Sequence, residues 1–292
     1  PSPASAATGP SPQPAPAGPS SPAGASTPQP DPVLKASADR VRSQLGGGTA
    51  FRNADTCIVC IVGGADFQKA DSQALVEAIA EKLGEAAARG SMAIFVTCGM
   101  QGVQEAFAEN CGDGSAVLNL MPYDETSAFL QGTDIHAGGS FEERKVIFGL
   151  VGDVYITVEG GPEVSQVARA AHSRGAALVP LSRTGGASNG MFNFPAEALQ
   201  RPQFASEEQW SLLASEDASS DESASAVAAI VATCVADVTG EAPPTPPPPP
   251  PPPRPRPPPR RRRGGGWLWR RSTRTVARAR TRRWRSSLPL AD

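Results

Sequence analysis

Five short β-rich runs, separated by helical patterns and each followed by glycine, constrain this chain more than any other feature. They are "TCIVCIV" (56–62), "SMAIFVTC" (91–98), "AVLNLM" (116–121), "DVYITV" (153–158) and "AALVPL" (176–181). Between the first two, Val76, Ile79, Ala80, Leu83 and Ala87 share one face of a helix expected from Asp71 to Arg89, and Gly90 ends it. Further helices are expected from Gly102 to Glu109, over 162–174, and near 206–214 and 222–238. Near-continuous apolar strands alternating with helices require a sheet covered on both faces. The expected fold is α/β and Rossmann-like, an open, mostly parallel sheet with helices on both faces.

In a parallel sheet every strand points the same way, so the segments following the strands gather along one edge. Here they are Gly63-Gly64, Gly99 to Gly102, the longer loop "QGTDIHAGG" (131–139), Gly160-Gly161 and "TGGASNG" (184–190) with Gly185 and Gly186. One glycine turn is ordinary chain punctuation, but five at one carboxyl edge point to a small-molecule cleft.

The rest of the chain is unlike this core. Residues 1–32 are dominated by Pro, Ala, Ser, Gly and Thr with one charge, Asp31, and cannot bury enough apolar surface to fold. Residues 241–292 begin with a proline run that favours extended chain and continue into arginine. The folded domain is therefore expected at 33–240, between two disordered arms. From 243 onward fourteen Arg stand against one Asp, so a formal net charge of −2 hides a domain and N-terminal arm near −15. So acidic a domain does not suit a nucleic-acid backbone, which rewards clustered Lys and Arg. The tail is different: Trp267, Trp269 and Trp284 among its arginines suit non-specific RNA or protein contact, or mark a misjoined or frame-shifted end.

Other classes are disfavoured. Cys57 and Cys60 form a C-x-x-C within one strand, where residues three apart face opposite sides and cannot share a metal or a disulfide. With two histidines, His136 and His172, no metal site is expected. The longest apolar-rich run, Val227 to Val238, falls short of the ~20 residues of a membrane span. The sequence starts at Pro1 without a charged-then-apolar leader, which reads as a fragment or processed chain with the cytosol as default location.

The sharpest motif is "TVEGGPEVSQVARAA" (157–171), a strand, a glycine turn and a helix. Pro162 suits the first helical position, and Val164, Val167, Ala168 and Ala171 form a stripe facing the sheet. Free N–H groups at such a helix start attract anions, yet Glu159 and Glu163 place negative charge beside the turn. A second helix start, "SFEERK" (140–145), is a capping box in which Ser140 caps and Glu143 reaches back. It sets Arg144 near the loop edge, either as a bidentate anion holder or as a surface arginine paired with Glu142 or Glu143.

Together "TCGMQGV" (97–103), "ERK" (143–145) and "EGGPEVSQV" (159–167) resemble the LONELY GUY, or "lysine decarboxylase-like", family and the wider SLOG set of Rossmann-like nucleotide-binding domains. The resemblance covers about 56–195. It implies a homodimer without a cofactor that hydrolyses the N-glycosidic bond of nucleoside monophosphates, using an arginine and a glutamate. Gly99, Gly102, Gly160 and Gly161 match the family pattern P-G-G-x-G-T-x-x-E and its companion turn, and Arg144 corresponds to the family arginine. Glu159 replaces the proline, Glu163 the third glycine, Val164 the threonine and Val167 the catalytic glutamate. Glycosidic cleavage needs a carboxylate near the anomeric carbon, which valine cannot supply. The expectation is a nucleotide-binding domain with weak or no catalysis. The alternatives are a phosphoribohydrolase whose carboxylate is relocated to Glu163 or Glu159, and an interaction protein acting through its arms.

Overall fold

The computed structural model describes residues 31–46 and 55–240. The expected arms, apart from Asp31 and Pro32, lie outside the described residues. The first described element is a helix absent from the sequence-based expectation, α1 (Pro32–Gln44), capped by Asp31. The alternation then follows as β1 (Cys57–Gly63), α2 (Ser72–Ala88), β2 (Ala93–Thr97), α3 (Val103–Asn110) and β3 (Val117–Met121). Next come β4 (Thr133–His136), α4 (Phe141–Val151), β5 (Val154–Val158), α5 (Pro162–Ser173) and β6 (Ala177–Leu181). Three short 3-10 turns lead to α6 (Glu207–Ala214) and α7 (Ser220–Thr239).

The six strands form one sheet in the order β4-β3-β2-β1-β5-β6, and every pairing is parallel. The path through the sheet starts at β1, steps outward to the β4 edge, then returns to the far side of β1 for β5 and β6. Connections running in opposite directions place their helices on opposite faces, so the loops after β1 and β5 diverge and open a crevice.

The expected loop at 131–139 contains β4, which corrects the sequence reading. It pairs on one side only, its four residues are exposed or half-buried, and so no apolar run announces it.

Alternate residues of the strands feed two separate cores. Cys57, Val59 and Ile61 of β1 join the side chains of α2, α3, α6 and α7. Ile58, Cys60 and Val62 join those of α1, α4 and α5. Cys57 and Cys60 therefore lie on opposite faces, as the strand period requires. Burial pushes the Cys111 and Cys234 thiols up to about 12, so near neutral pH these cysteines pack as small apolar groups.

At twenty residues, α7 is longer than the apolar run read from sequence, and is long and apolar enough to cross a membrane. Half of that apolar stretch is buried within the structure, with Val227, Ile230, Val231 and Cys234 in the core beside α2.

Beneath the sheet, the Asp153 carboxylate takes Nη2 of Arg42 at 2.7 Å and the Ile58 N–H at 2.9 Å. Arg42 also donates to the Val151 carbonyl, so one buried ion pair fastens α1 to the starts of β1 and β5.

Candidate functional site

The glycines after the strands meet at the carboxyl edge because their loops pack backbone on backbone. Val103 N–H donates to Gly64 O at 3.1 Å, and a Cβ on Gly102 would strike the Ala65 carbonyl, so the β1 and β2 loops touch. Ala187 N–H donates to Gly160 O at 2.8 Å, and a Cβ on Gly186 would lie 2.6 Å from that oxygen, so the β5 and β6 loops touch as well. Gly102 and Gly186 also have positive φ, 76° and 59°, which disfavours any side chain there. Gly63 makes room for Val103, and Gly160 for Val164. Gly99 lies further off, against Met121 and Ser127, and Gly185 lies 3.9 Å from Lys69 Cε, both measured from a built Cβ. Gly161 differs: its backbone is extended and a Cβ there would meet nothing within 4 Å. Of the eight candidate glycines, this one faces open space at the first turn of α5.

Arg144 is not the surface residue that its capping box suggested. Ser140 Oγ accepts the Glu143 N–H at 3.2 Å, but the Glu143 carboxylate takes the Gly139 N–H at 2.7 Å instead of reaching the cap residue. Arg144 itself is only 4 % exposed and turns inward. It donates to the Cys98 carbonyl, its Nη2 lies 3.8 Å from Met100 Sδ, and its guanidinium stacks 5.1 Å from the Phe141 ring centre. Neither Glu142 nor Glu143 pairs with it in the structure; Glu142 pairs with Lys145 at 2.8 Å. Arg144 Nε is buried and has no hydrogen-bond partner among the described residues. A buried guanidinium donor without an acceptor is costly, and a bound anion would satisfy it.

The two candidate carboxylates part company. Glu163, in the first turn of α5, is exposed and lies 3.5 Å from Lys145. Contact with Glu142, and then the charge of Glu163, raises the Lys145 ammonium above its usual range. Glu159 is 1 % exposed with a φ of 50°, and its two carboxyl oxygens take the Gln68 N–H at 2.8 Å and the Lys69 N–H at 2.9 Å. Its own N–H donates to Thr184 Oγ1 at 2.8 Å, and its carbonyl accepts the Ser188 N–H at 3.1 Å. Glu159 thus ties together the loops after β1, β5 and β6, a role that pairing three distant segments hides from the sequence.

Val167 points into the core with Val164, Ala168 and Ala171, as their spacing indicated. Replacing it with Glu would bury an unpaired carboxylate against α4, so Val167→Glu should lose at least about 2 kcal/mol of stability in urea unfolding. Cys98 adjoins Arg144, but burial pushes its thiol above the ordinary range and disfavours it as a nucleophile.

Sequence reasoning also missed a polar cluster at the β3 side. Asn119 accepts from Thr97 at 2.7 Å and donates to Asp134 at 3.2 Å, while Asp134 takes the Ser127 N–H at 2.8 Å and Ser127 Oγ at 2.6 Å. These bonds hold the 122–132 loop beside Gly99. Only the polar composition of that loop hinted at them.

A hollow of about 900 Å³ lies at the opposite, amino edge, beside Asp153, Ala177, Arg201 and Asp237. It contains none of the glycine-loop residues. The strand topology instead favours the carboxyl edge, where the loops after β1 and β5 diverge.

No family model matches the sequence, and comparison with curated proteins found no match. Among solved structures, the chain is similar to TM1055, a structural-genomics target, at 19 % identity and a TM-score of 0.40, over 51 % of this chain and 87 % of that one. It is also similar to DNA processing protein A from Helicobacter pylori, described for its single-stranded DNA binding mode. That likeness has 18 % identity and a TM-score of 0.35, over 42 % of this chain and 64 % of that one.

Proposed function

We propose that the domain binds a nucleoside monophosphate or related phosphorylated ligand at the carboxyl edge, between Arg144 and the start of α5, with little or no turnover. The observation that carries this reading is the buried Arg144 with its unpartnered Nε, close to a helix start whose Gly161 faces open space. The Lys145–Glu163 contact links the N-terminal half of α4 to the first turn of α5, so one phosphoryl group can lie near both the guanidinium and the α5 N–H groups. Met100 and Phe141, 37 % and 50 % exposed, border Arg144 and offer apolar contact to the remainder of the ligand. Binding is favoured over glycosidic hydrolysis because Val167 is buried, Glu159 is engaged with backbone N–H groups and Glu163 lies out in solvent beside Lys145.

Gly161 gives the cleanest test. A side chain there meets no protein atom and needs no unusual φ, so Gly161→Leu should still unfold cooperatively, losing about 1 kcal/mol or less for the poorer helix cap. It should weaken nucleoside monophosphate binding roughly tenfold or more, measured by calorimetric titration at fixed salt. Equal affinity in a folded variant would remove the α5 start from the site.

A further inference from the structure

We infer that Glu159 is a built-in anion occupying the phosphate position of the β1–α2 turn, so that the site gains contacts from only one phosphoryl group of its ligand. This deepens the nucleotide-binding reading, on which it rests. In open parallel sheets of this kind, the backbone N–H groups of the first strand-to-helix turn face the crevice and suit a phosphate or pyrophosphate. Here the Gln68 and Lys69 N–H groups of that turn are already taken by the two Glu159 oxygens, at 2.8 and 2.9 Å. Oε2 also lies 3.8 Å from the position of a Cβ built on Gly64, in the turn directly after β1. The nearby Lys69 ammonium is engaged elsewhere, by the Arg183 carbonyl at 2.6 Å and the Glu216 carboxylate at 2.5 Å. A second phosphoryl group at this turn would therefore find its donors occupied and a like charge a few ångströms away. Arg144 is free of such competition at its Nε.

The chain supports the carboxylate at some conformational expense, since φ of 50° is unusual for a residue bearing a side chain. Glu159→Gly suits that conformation while removing the anion. Glu159→Gln keeps the length and one acceptor oxygen while removing the charge. Both are full-chain variants, each checked for cooperative thermal unfolding.

Amide spectra of isotope-labelled protein, titrated with inorganic pyrophosphate, a nucleoside monophosphate and its diphosphate, provide the test. Residue-specific signals separate this site from the tail arginines, which also attract phosphate. In the wild type, the Gln68 and Lys69 signals should stay in place with every probe. The diphosphate should shift the Gly161 signal with an affinity within about threefold of the monophosphate. In the variants, pyrophosphate should move the Gln68 and Lys69 signals, and the preference for diphosphate should rise roughly tenfold or more. Movement of those two signals in the wild type, or no gain in either folded variant, overturns the inference. If no nucleotide binds the wild type yet pyrophosphate reaches Gln68 and Lys69 in Glu159→Gly, the occupied-turn inference stands and the nucleotide-binding reading fails.

Discussion

Asp153→Ala should destabilise the domain by about 3–5 kcal/mol, the range for removing one partner of a buried ion pair. The Asp153 side chain is inaccessible to solvent, and the change strips acceptors from both the Arg42 guanidinium and the Ile58 N–H. At roughly 2–4 °C per kcal/mol for a domain of this size, the thermal midpoint should fall by about 6–20 °C. Arg42→Ala should cost less than Asp153→Ala, because the remaining carboxylate keeps its bond to Ile58 N–H. The Arg42→Met/Asp153→Leu pair should recover part of the loss, since two apolar side chains leave no buried charge behind. A midpoint for Asp153→Ala within 2 °C of the wild type would show that α1 is not fastened through this pair.

Arg144→Ala should lower affinity for a nucleoside monophosphate roughly ten- to a hundredfold, the equivalent of about 1.5–3 kcal/mol for a charge-assisted hydrogen bond. The tail arginines are common to both proteins, so the difference in titration isolates Arg144. Its bond to the Cys98 carbonyl helps to hold the β2 loop, and some stability should be lost as well. Arg144→Lys separates the two effects. A lysine keeps the positive charge but lacks the planar fork, so its affinity should lie between those of the wild type and the alanine variant. Affinities within twofold across all three would place the ligand elsewhere.

The sheet was legible because apolar runs such as "TCIVCIV" and the stripe of α5 are local signals, written in consecutive residues. Helix α1 was obscured by its own packing: its buried residues are Ala38, Val41 and Arg42, so a charged residue occupies part of the inward face. Strand β4 carries Thr133, Asp134 and His136, and no propensity argument selects such a segment over a loop. The glycine turns were readable as turns, but which of them face a ligand was not. Gly102 and Gly161 look alike in sequence, and only the approach of the Ala65 carbonyl separates them. The partners of Arg144 and Glu159 were hidden for a related reason. Cys98 for one, and Gln68 and Lys69 for the other, are 46, 91 and 90 residues away along the chain.

The close packing of loop on loop at the carboxyl edge bears on how such a site can diverge. Gly102, Gly160 and Gly186 have no room for even a methyl group, so each is held fixed by folding irrespective of any ligand. Selection for a new ligand can work only through positions that folding leaves unclaimed, and along this edge those include Gly161, Met100 and Phe141. Variation there would change what is bound while preserving the fold. Related chains that bind different ligands should therefore share the crowded glycines and differ at these open positions.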